Sequence, residues 1–170
     1  MRWLFGLWPA DQIAIHPFEA DHVHDAAQIH AANFARPWTD GEIATLSGRD
    51  GVFGFVARGT DWWGTATVGF VLARMAADEA EILTIAVKPD WQGYGVGRRL
   101  MDGVLTHAYR ERIASVFLEV DETNAAARAL YQRLGFVTVG DRPDYYAGAD
   151  AQKSRAIVMR RDAPARRAWR

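Results

Sequence analysis

Three features of the sequence could carry chemistry: a glycine-rich turn, an acid in an apolar stretch and a tyrosine within a helical pattern. The turn consists of Gln92, Gly93, Tyr94, Gly95, Val96 and Gly97, and Arg98 follows it directly. Glycines let backbone approach a ligand closely, and the first N–H groups of a helix lack partners within the helix. A helix amino terminus also carries roughly half a positive elementary charge. The turn is therefore suited to a phosphate group, with Arg98 or Arg99 adding charge.

Other kinds of turn compete for this segment. A dinucleotide-binding turn has the pattern G-x-G-x-x-G, but after Gly93 and Gly95 its third glycine would fall on Arg98. A P-loop ends in G-K-[ST], which the segment lacks. A glycine-rich turn that does no more than cap a helix also fits the local pattern. The residues alone leave phosphate binding and simple capping open.

Glu119 and Tyr131 are candidates for proton transfer. Glu119 lies in the apolar stretch 116–120, where it is either a general base or a carboxylate that lies on the wetter face of the strand or pairs with an arginine. Tyr131 follows Asn124 by seven residues, so the two share nearly one helix face two turns apart. A tyrosine among alanines and leucines is also an ordinary core residue.

Composition limits the class of protein. The chain has 170 residues, 49% of them hydrophobic and 24% charged, which is typical of one soluble globular domain. Its net charge of -1 offers no strong field to nucleic acid or membrane, and no stretch approaches the roughly 20 apolar residues of a membrane span. Without cysteine there is no disulfide and no cysteine nucleophile. We expect a cytoplasmic protein with no direct nucleic-acid or membrane partner.

The polar and apolar patterning predicts an alternation of strands and helices. Strands are expected at 13–18, 51–58, 65–75, 79–87, 114–120, 137–146 and 155–161, and helices at 21–34, 39–48, 95–110 and 123–136. Thr39 and Glu42 have capping-box spacing, and Gly48 is expected in a left-handed cap. The strand-helix-strand unit at about 80–121 favours a parallel strand pair with a right-handed crossover.

The glycine turn resembles the Q/R-x-x-G-x-G/A signature of the Gcn5-related N-acetyltransferase (GNAT) superfamily. The segments ILTIAVKP before it and LEVDETNAAARALYQRLGF after it also resemble that superfamily, and so does the element order. Within that superfamily the sequence most resembles the bacterial ribosomal-protein-alanine N-acetyltransferases. The resemblance implies a single α/β (α+β) domain over 12–161, with a mixed seven-stranded sheet splayed between its central parallel strands and flanked by four helices. Residues 1–11 would form an N-terminal extension and 162–170 a basic, flexible tail.

The resemblance also implies a site for acetyl-coenzyme A. The turn from Gln92 to Arg98 would hold the diphosphate, and Asn124 would also contact the cofactor. The backbone of Ile85, Ala86 and Val87 would pair with the pantetheine arm. Independently, an exposed strand edge offers N–H and C=O groups with which such an arm can pair like an added strand.

The resemblance gives Glu119 the role of general base and Tyr131 that of general acid. An amine attacks a thioester only when neutral, and because an N-terminal α-amine titrates near neutrality a weak base suffices. A phenol and a thiol have similar acidities, so a tyrosine suits the departing thiolate. Because the chain has no cysteine, direct transfer in a ternary complex is favoured over a cysteine acyl-enzyme.

Two segments resemble the acceptor-binding parts of these relatives. Pro37 and Trp38 resemble the P-W-[ST] segment that shapes a peptide entrance, although they could instead staple the second helix. Asp144, Tyr145 and Tyr146 resemble an acidic and aromatic loop beside the acceptor, although tyrosines at a strand end also pack. The chain departs from the relatives after Val120, where it has aspartate in place of a frequent arginine.

The expected acceptor is the N-terminal α-amine of a protein, favouring N-terminal alanine of a small-subunit ribosomal protein. One alternative is a small amine, such as a polyamine, an antibiotic or an amino acid. The other is a non-catalytic module that binds coenzyme A or associates with the ribosome. The histidines predict no metal site, since His22 and His24 lie about 200° apart on a helix. Trp62 and Trp63 are expected to cover a core or a second copy, or to hold a base or peptide.

Overall fold

A computed structural model describes residues 12–61, 63–146 and 154–164, without the side chains of 143–146 and 154. The predicted N-terminal extension, Trp62 and the end of the basic tail from residue 165 lie outside the described residues. None of the helices in the described ranges is long and apolar enough to cross a membrane.

The described residues form seven strands and four α-helices. The strands are β1 (Ile13–Pro17), β2 (Val52–Asp61), β3 (Gly64–Ala76), β4 (Glu79–Val87), β5 (Ser115–Asp121), β6 (Val137–Tyr146) and β7 (Ser154–Asp162). The helices are α1 (Val23–Ala31), α2 (Asp40–Ser47), α3 (Val96–Arg110) and α4 (Ala125–Arg133). Short 3₁₀ turns at Ala20–His22 and Pro89–Trp91 precede α1 and follow β4.

The strands form one mixed sheet in the order β1-β2-β3-β4-β5-β7-β6. β4 and β5 are parallel, and their ladder joins Glu79, Ala80 and Glu81 to Ser115, Val116 and Phe117. The pairs β1/β2, β5/β7 and β6/β7 are antiparallel. The predicted fold class is confirmed. The parallel ladder comprises three residue pairs at the amino ends of both strands.

The chain divides into two compact units. The first comprises Met1–Leu72 and Thr84–Val104, and its core contains Ile29, Ile43, Val56, Phe70, Leu100 and Met101. The second comprises Ala73–Leu83 and Leu105–Arg170, and its core contains Val116, Leu118, Tyr131, Phe136 and Met159.

Of the two caps predicted for α2, the N-terminal one is present and the C-terminal one is wrong. At α2 the Glu42 N–H donates to Thr39 Oγ1 at 3.2 Å, and the Thr39 N–H donates to Glu42 Oε2 at 2.7 Å. The predicted capping box is therefore confirmed. Gly48, expected to be left-handed, has φ -84° instead. Its N–H still donates to the carbonyl of Ala44, so the glycine completes the last right-handed turn.

Candidate active site

The glycine turn connects β4 to α3 in the first unit. Gly93 has φ +81° and Gly95 has φ +80°, a left-handed conformation that glycine adopts at little cost. A Cβ added to either residue would meet no atom of the described residues within 4 Å. Glycine is therefore required here by backbone conformation, and both α-carbons face open space. Helix α3 starts directly afterwards at Val96, so its first N–H groups lie at this open turn.

The two arginines after the turn have different surroundings. Arg99 Nη1 donates to the carbonyl of Ile13 at 3.3 Å, which ties Arg99 to β1. Arg98 makes a helical ion pair with Asp102, with Nε and Oδ2 3.7 Å apart and both side chains about half exposed. A pair this exposed contributes little to stability and opens readily. Arg98 is thus better placed than Arg99 to meet a ligand at the turn.

The backbone of β4 alternates between its two edges. The Lys88 N–H donates to the carbonyl of Val68 at 2.8 Å, so position 88 faces β3. Because alternate residues of a strand present their N–H and C=O groups to the same side, Ala86 also faces β3, whereas Ile85 and Val87 face the opposite edge. The Ala86 oxygen accordingly lies 3.1 Å from where a Cβ on Gly69 would stand.

Two side-chain amides meet at the end of β4. Gln92 Nε2 donates to the Val87 carbonyl at 3.2 Å and to Asn33 Oδ1 at 2.9 Å. Asn33 Nδ2 donates to the same Val87 carbonyl at 3.1 Å and to the Ile29 carbonyl at 2.8 Å. We call the side chains of Asn33 and Gln92 with the Val87 carbonyl the amide bracket. Sequence reasoning missed Asn33, because its partner Gln92 lies 59 residues away.

In the second unit, Glu119 lies on β5 opposite Val158 of β7. Its side chain is 19% exposed, and its Oε1 lies 3.2 Å from Arg142 Nε. The carboxylate lines a cavity of about 270 Å³ together with Arg74, Glu79, Glu81, Phe117 and Arg142. The arginine pair expected as one alternative for Glu119 is therefore present, and the carboxylate also lines a cavity.

Helix α4 carries the two other candidates of the second unit. Asn124 caps the helix, and its Oδ1 accepts from the Ala127 N–H at 3.1 Å. Tyr131 is 5% exposed and packs edge-on against Phe136, with ring centroids 6.0 Å apart. The aspartate that departs from the family pattern shapes the approach to this helix, because Asp121 Oδ1 accepts from the N–H and the hydroxyl of Thr123.

Three rings stack where the segment between α1 and α2 packs against the end of α1. The buried His30 ring lies 4.2 Å from Phe34 and 4.8 Å from Trp38 between centroids, nearly parallel to both. His30 Nδ1 also accepts from the Trp38 N–H at 3.1 Å. Trp38 is thus held against α1, while the neighbouring Pro37 is exposed. Asp144, Tyr145 and Tyr146 lie at the end of β6, and their side chains are outside the described ones.

The remaining chemical candidates have no shared site. In the described part of the chain, no three His, Cys, Asp or Glu side chains are grouped to hold a metal ion. Trp63 is 92% exposed at the turn between β2 and β3, where its backbone N–H donates to Asp61 Oδ1.

His30 predicts a pH dependence of stability. Burial lowers the pKa of His30 from its usual 6.5, and the charge of Glu42 opposes this to a smaller extent. Protonation would also place a hydrogen on Nδ1, which accepts from the Trp38 N–H. Below pH 6.5 the unfolded chain binds a proton here that the folded chain disfavours, so the free energy of unfolding falls as the pH is lowered.

Urea unfolding of the wild type and of His30→Asn, between about pH 7.5 and pH 5, measures this dependence. The asparagine offers an acceptor without a titrating ring, so its curve should be flatter below pH 6.5. His24→Asn is the control, because the pKa of His24 is shifted in the opposite direction. The hydrogen bond of His24 with Asp40 and the charge of Asp40 both raise the pKa of His24. The stabilisation from His24 is instead lost as the pH rises above 6.5. Parallel wild-type and His30→Asn curves below pH 6.5 would contradict the prediction.

Comparison with known proteins shows the family to which the chain is similar. The family model described as Acetyltransferase (GNAT) family matches residues 23–136. The ribosomal protein bS18-alanine N-acetyltransferase of Escherichia coli (strain K12) is 32% identical over 146 residues, which are 85% of this chain and 94% of that protein.

Solved structures agree with the sequence comparison. The crystal structure of the ribosomal-protein-S18-alanine N-acetyltransferase from Escherichia coli matches with a TM-score of 0.79 and 29% identity, covering 92% of this chain and 99% of that one. Ard1 from Thermoplasma volcanium matches with a TM-score of 0.75 and 27% identity, covering 91% and 99%. Each match thus covers most of this chain and nearly the whole of the solved structure.

Proposed function

Because the chain belongs to the GNAT acetyltransferase family, and is thus an N-acetyltransferase, we propose that it acetylates the N-terminal α-amine of a protein. The favoured acceptor is the N-terminal alanine of a small-subunit ribosomal protein. One observation carries this choice: 85% of the chain is similar to an enzyme named for alanine acetylation of ribosomal protein bS18, and the match covers 94% of that enzyme.

The donor is acetyl-coenzyme A, which supplies an acetyl thioester when bound. The open, left-handed glycines at 93 and 95 fit its diphosphate, because backbone N–H groups and the amino terminus of α3 are accessible there. Gln92, Tyr94, Val96 and Gly97 complete this turn, and Arg98 adds a positive charge. Asn124 contributes from the cap of α4.

The pantetheine arm has a partner in the backbone of β4. Ile85 and Val87 face the edge away from β3, so their backbone groups would pair with its amides. The sequence analysis grouped Ala86 with these two residues. The backbone groups of Ala86 face β3, so Ala86 would only connect the two residues that pair with the arm.

Glu119 is the proposed general base. Its carboxylate reaches a cavity, where it can accept a proton from an ammonium group directly or through water. Arg142 holds the carboxylate in place and must yield part of this contact when a cationic acceptor arrives. Pro37, Trp38, Asp144, Tyr145 and Tyr146 are proposed to bind the acceptor peptide.

Tyr131 is the proposed general acid, and Tyr131→Phe is expected to lower kcat by roughly a hundredfold. The substitution removes only the hydroxyl from a buried ring, so folding should be largely preserved. Single-turnover acetyl transfer at saturating substrates measures the effect. Tyr109→Phe on α3 is the matched control, because Tyr109 is 47% exposed and has no proposed role. An unchanged rate in Tyr131→Phe would show that another group protonates the thiolate.

The proposed acceptor is tested with a panel of peptides and small amines. The panel contains peptides that begin with alanine, the same peptides with a blocked α-amine, and polyamines and amino acids as small amines. Mass spectrometry then distinguishes α-amine from lysine acetylation. We expect acetylation of the free N-terminal alanine and little of the blocked peptides. Faster acetylation of a small amine would overturn the proposed acceptor while leaving the acetyltransferase assignment intact.

A further inference from the structure

The amide bracket uses the whole accepting capacity of one carbonyl. A backbone carbonyl has two lone pairs, and the Val87 oxygen accepts from both Asn33 Nδ2 and Gln92 Nε2. The same amides also bind each other, and Asn33 donates to the Ile29 carbonyl at the end of α1. The bracket therefore joins the ends of α1 and β4 to the start of the glycine turn.

The bracket acts on the edge of β4 that faces away from β3. Val87 and Ile85 both present their backbone groups to this edge, as the bond between Lys88 and Val68 requires. Once the Val87 carbonyl is occupied by the bracket, the groups that point the same way are the Val87 N–H and the N–H and C=O of Ile85. A ligand that adds as a strand therefore meets one defined set of donors and acceptors.

We propose that Asn33 is a positioning residue for the pantetheine arm of the acetyl carrier. Asn33 holds the last peptide of β4 in strand geometry, so the Val87 N–H is already aimed when the arm arrives. Fixing a binding edge in advance removes an ordering cost that binding would otherwise meet. This inference rests on the proposed function, since it takes the arm of acetyl-coenzyme A as the ligand of this edge.

The residue type suits this task. Asparagine has two N–H donors and one oxygen acceptor, and Asn33 uses the donors on Val87 and Ile29 and the oxygen for Gln92. Aspartate keeps the acceptor but loses both donors, and alanine loses all three contacts. Asn33 is solvent-exposed, so its replacement leaves no cavity in the core. Its effect on ligand binding is therefore separable from an effect on folding.

Two ligands distinguish positioning of the arm from a general structural role. Coenzyme A carries the arm, whereas phosphoadenosine diphosphate has the same nucleotide and diphosphate and no arm. Calorimetry on the full chain should show that Asn33→Ala weakens coenzyme A binding by roughly threefold to tenfold and leaves the nucleotide unchanged. Gln28→Ala, which removes an exposed α1 amide bound to His24, is the control and should change neither affinity.

If Asn33→Ala lost affinity equally for coenzyme A and for phosphoadenosine diphosphate, or lost affinity for neither, the inference would be overturned. Should Asn33→Ala fail to fold, Asn33→Asp is expected to show the same selective loss. The double variant Asn33→Ala with Gln92→Ala should bind coenzyme A no more weakly than the weaker single variant, because both act through one carbonyl. A wild type that binds neither ligand would instead refute the proposed function itself, and the inference with it.

Discussion

Glu119→Gln is expected to lower kcat by about two to four orders of magnitude while the Kd for acetyl-coenzyme A stays nearly constant. Glutamine has the shape of glutamate but cannot accept the proton of an ammonium group. The loss should therefore appear in the chemical step. The residue lines a cavity and is 19% exposed, so the neutral amide fits without burying a new charge. Steady-state kinetics with a peptide beginning with alanine, combined with calorimetry of the cofactor, measures both quantities.

Glu81→Gln is the matched control for this variant. Glu81 lines the same cavity and is also paired with an arginine, since its Oε2 lies 3.0 Å from Arg74 Nη2. We expect this variant to retain most of the activity, because Glu81 has no proposed part in proton transfer. If Glu119→Gln were as active as Glu81→Gln at neutral pH, Glu119 would not be the base.

Gly95→Ala is expected to weaken acetyl-coenzyme A binding on the order of tenfold or more. Gly95 has φ +80°, where an L side chain costs roughly 1–2 kcal/mol. The chain can avoid this strain by shifting the turn, which moves the N–H groups at the start of α3. If it keeps the turn, the new methyl group extends into the open space proposed for the diphosphate. Calorimetric titration with acetyl-coenzyme A measures the affinity.

Gly64→Ala separates strain from binding. Gly64 also has a positive φ, +121°, and open space around its α-carbon, but it lies at the start of β3. We expect both variants to unfold at lower urea concentrations than the wild type, and only Gly95→Ala to lose cofactor affinity. Equal cofactor affinity in the two variants would remove the glycine turn from the binding site.

Local signals were sufficient for most of the fold. The strand predicted at 79–87 occurs with those bounds, because Pro89 follows its apolar run, and the strand predicted at 137–146 also occurs with its predicted bounds. The capping box at Thr39 fixed the start of α2, and the resemblance to the GNAT superfamily is confirmed. Helix α1 ends at Ala31, before the predicted Phe34. There the Asn33 side chain bonds to Ile29 and Val87, a contact that local periodicity does not contain.

The site was predictable where one segment carries the signal and not where distant segments meet. The positive φ angles at Gly93 and Gly95 follow from a local glycine pattern. The ion pair of Glu119 with Arg142 and the bonds of Gln92 with Asn33 join residues far apart in the chain. No spacing rule connects such residues. The stack of His30 with Phe34 and Trp38 likewise depends on how the chain returns to α1 after the helix.

Calorimetric titration of acetyl-coenzyme A into the purified full chain is the most direct test of the proposed donor site. Saturable binding of one molecule per chain is expected, with competition by coenzyme A and with reduced affinity in Gly95→Ala. Absence of measurable binding under conditions where the chain is folded would contradict the role of the glycine turn, and with it the proposed acetyl transfer.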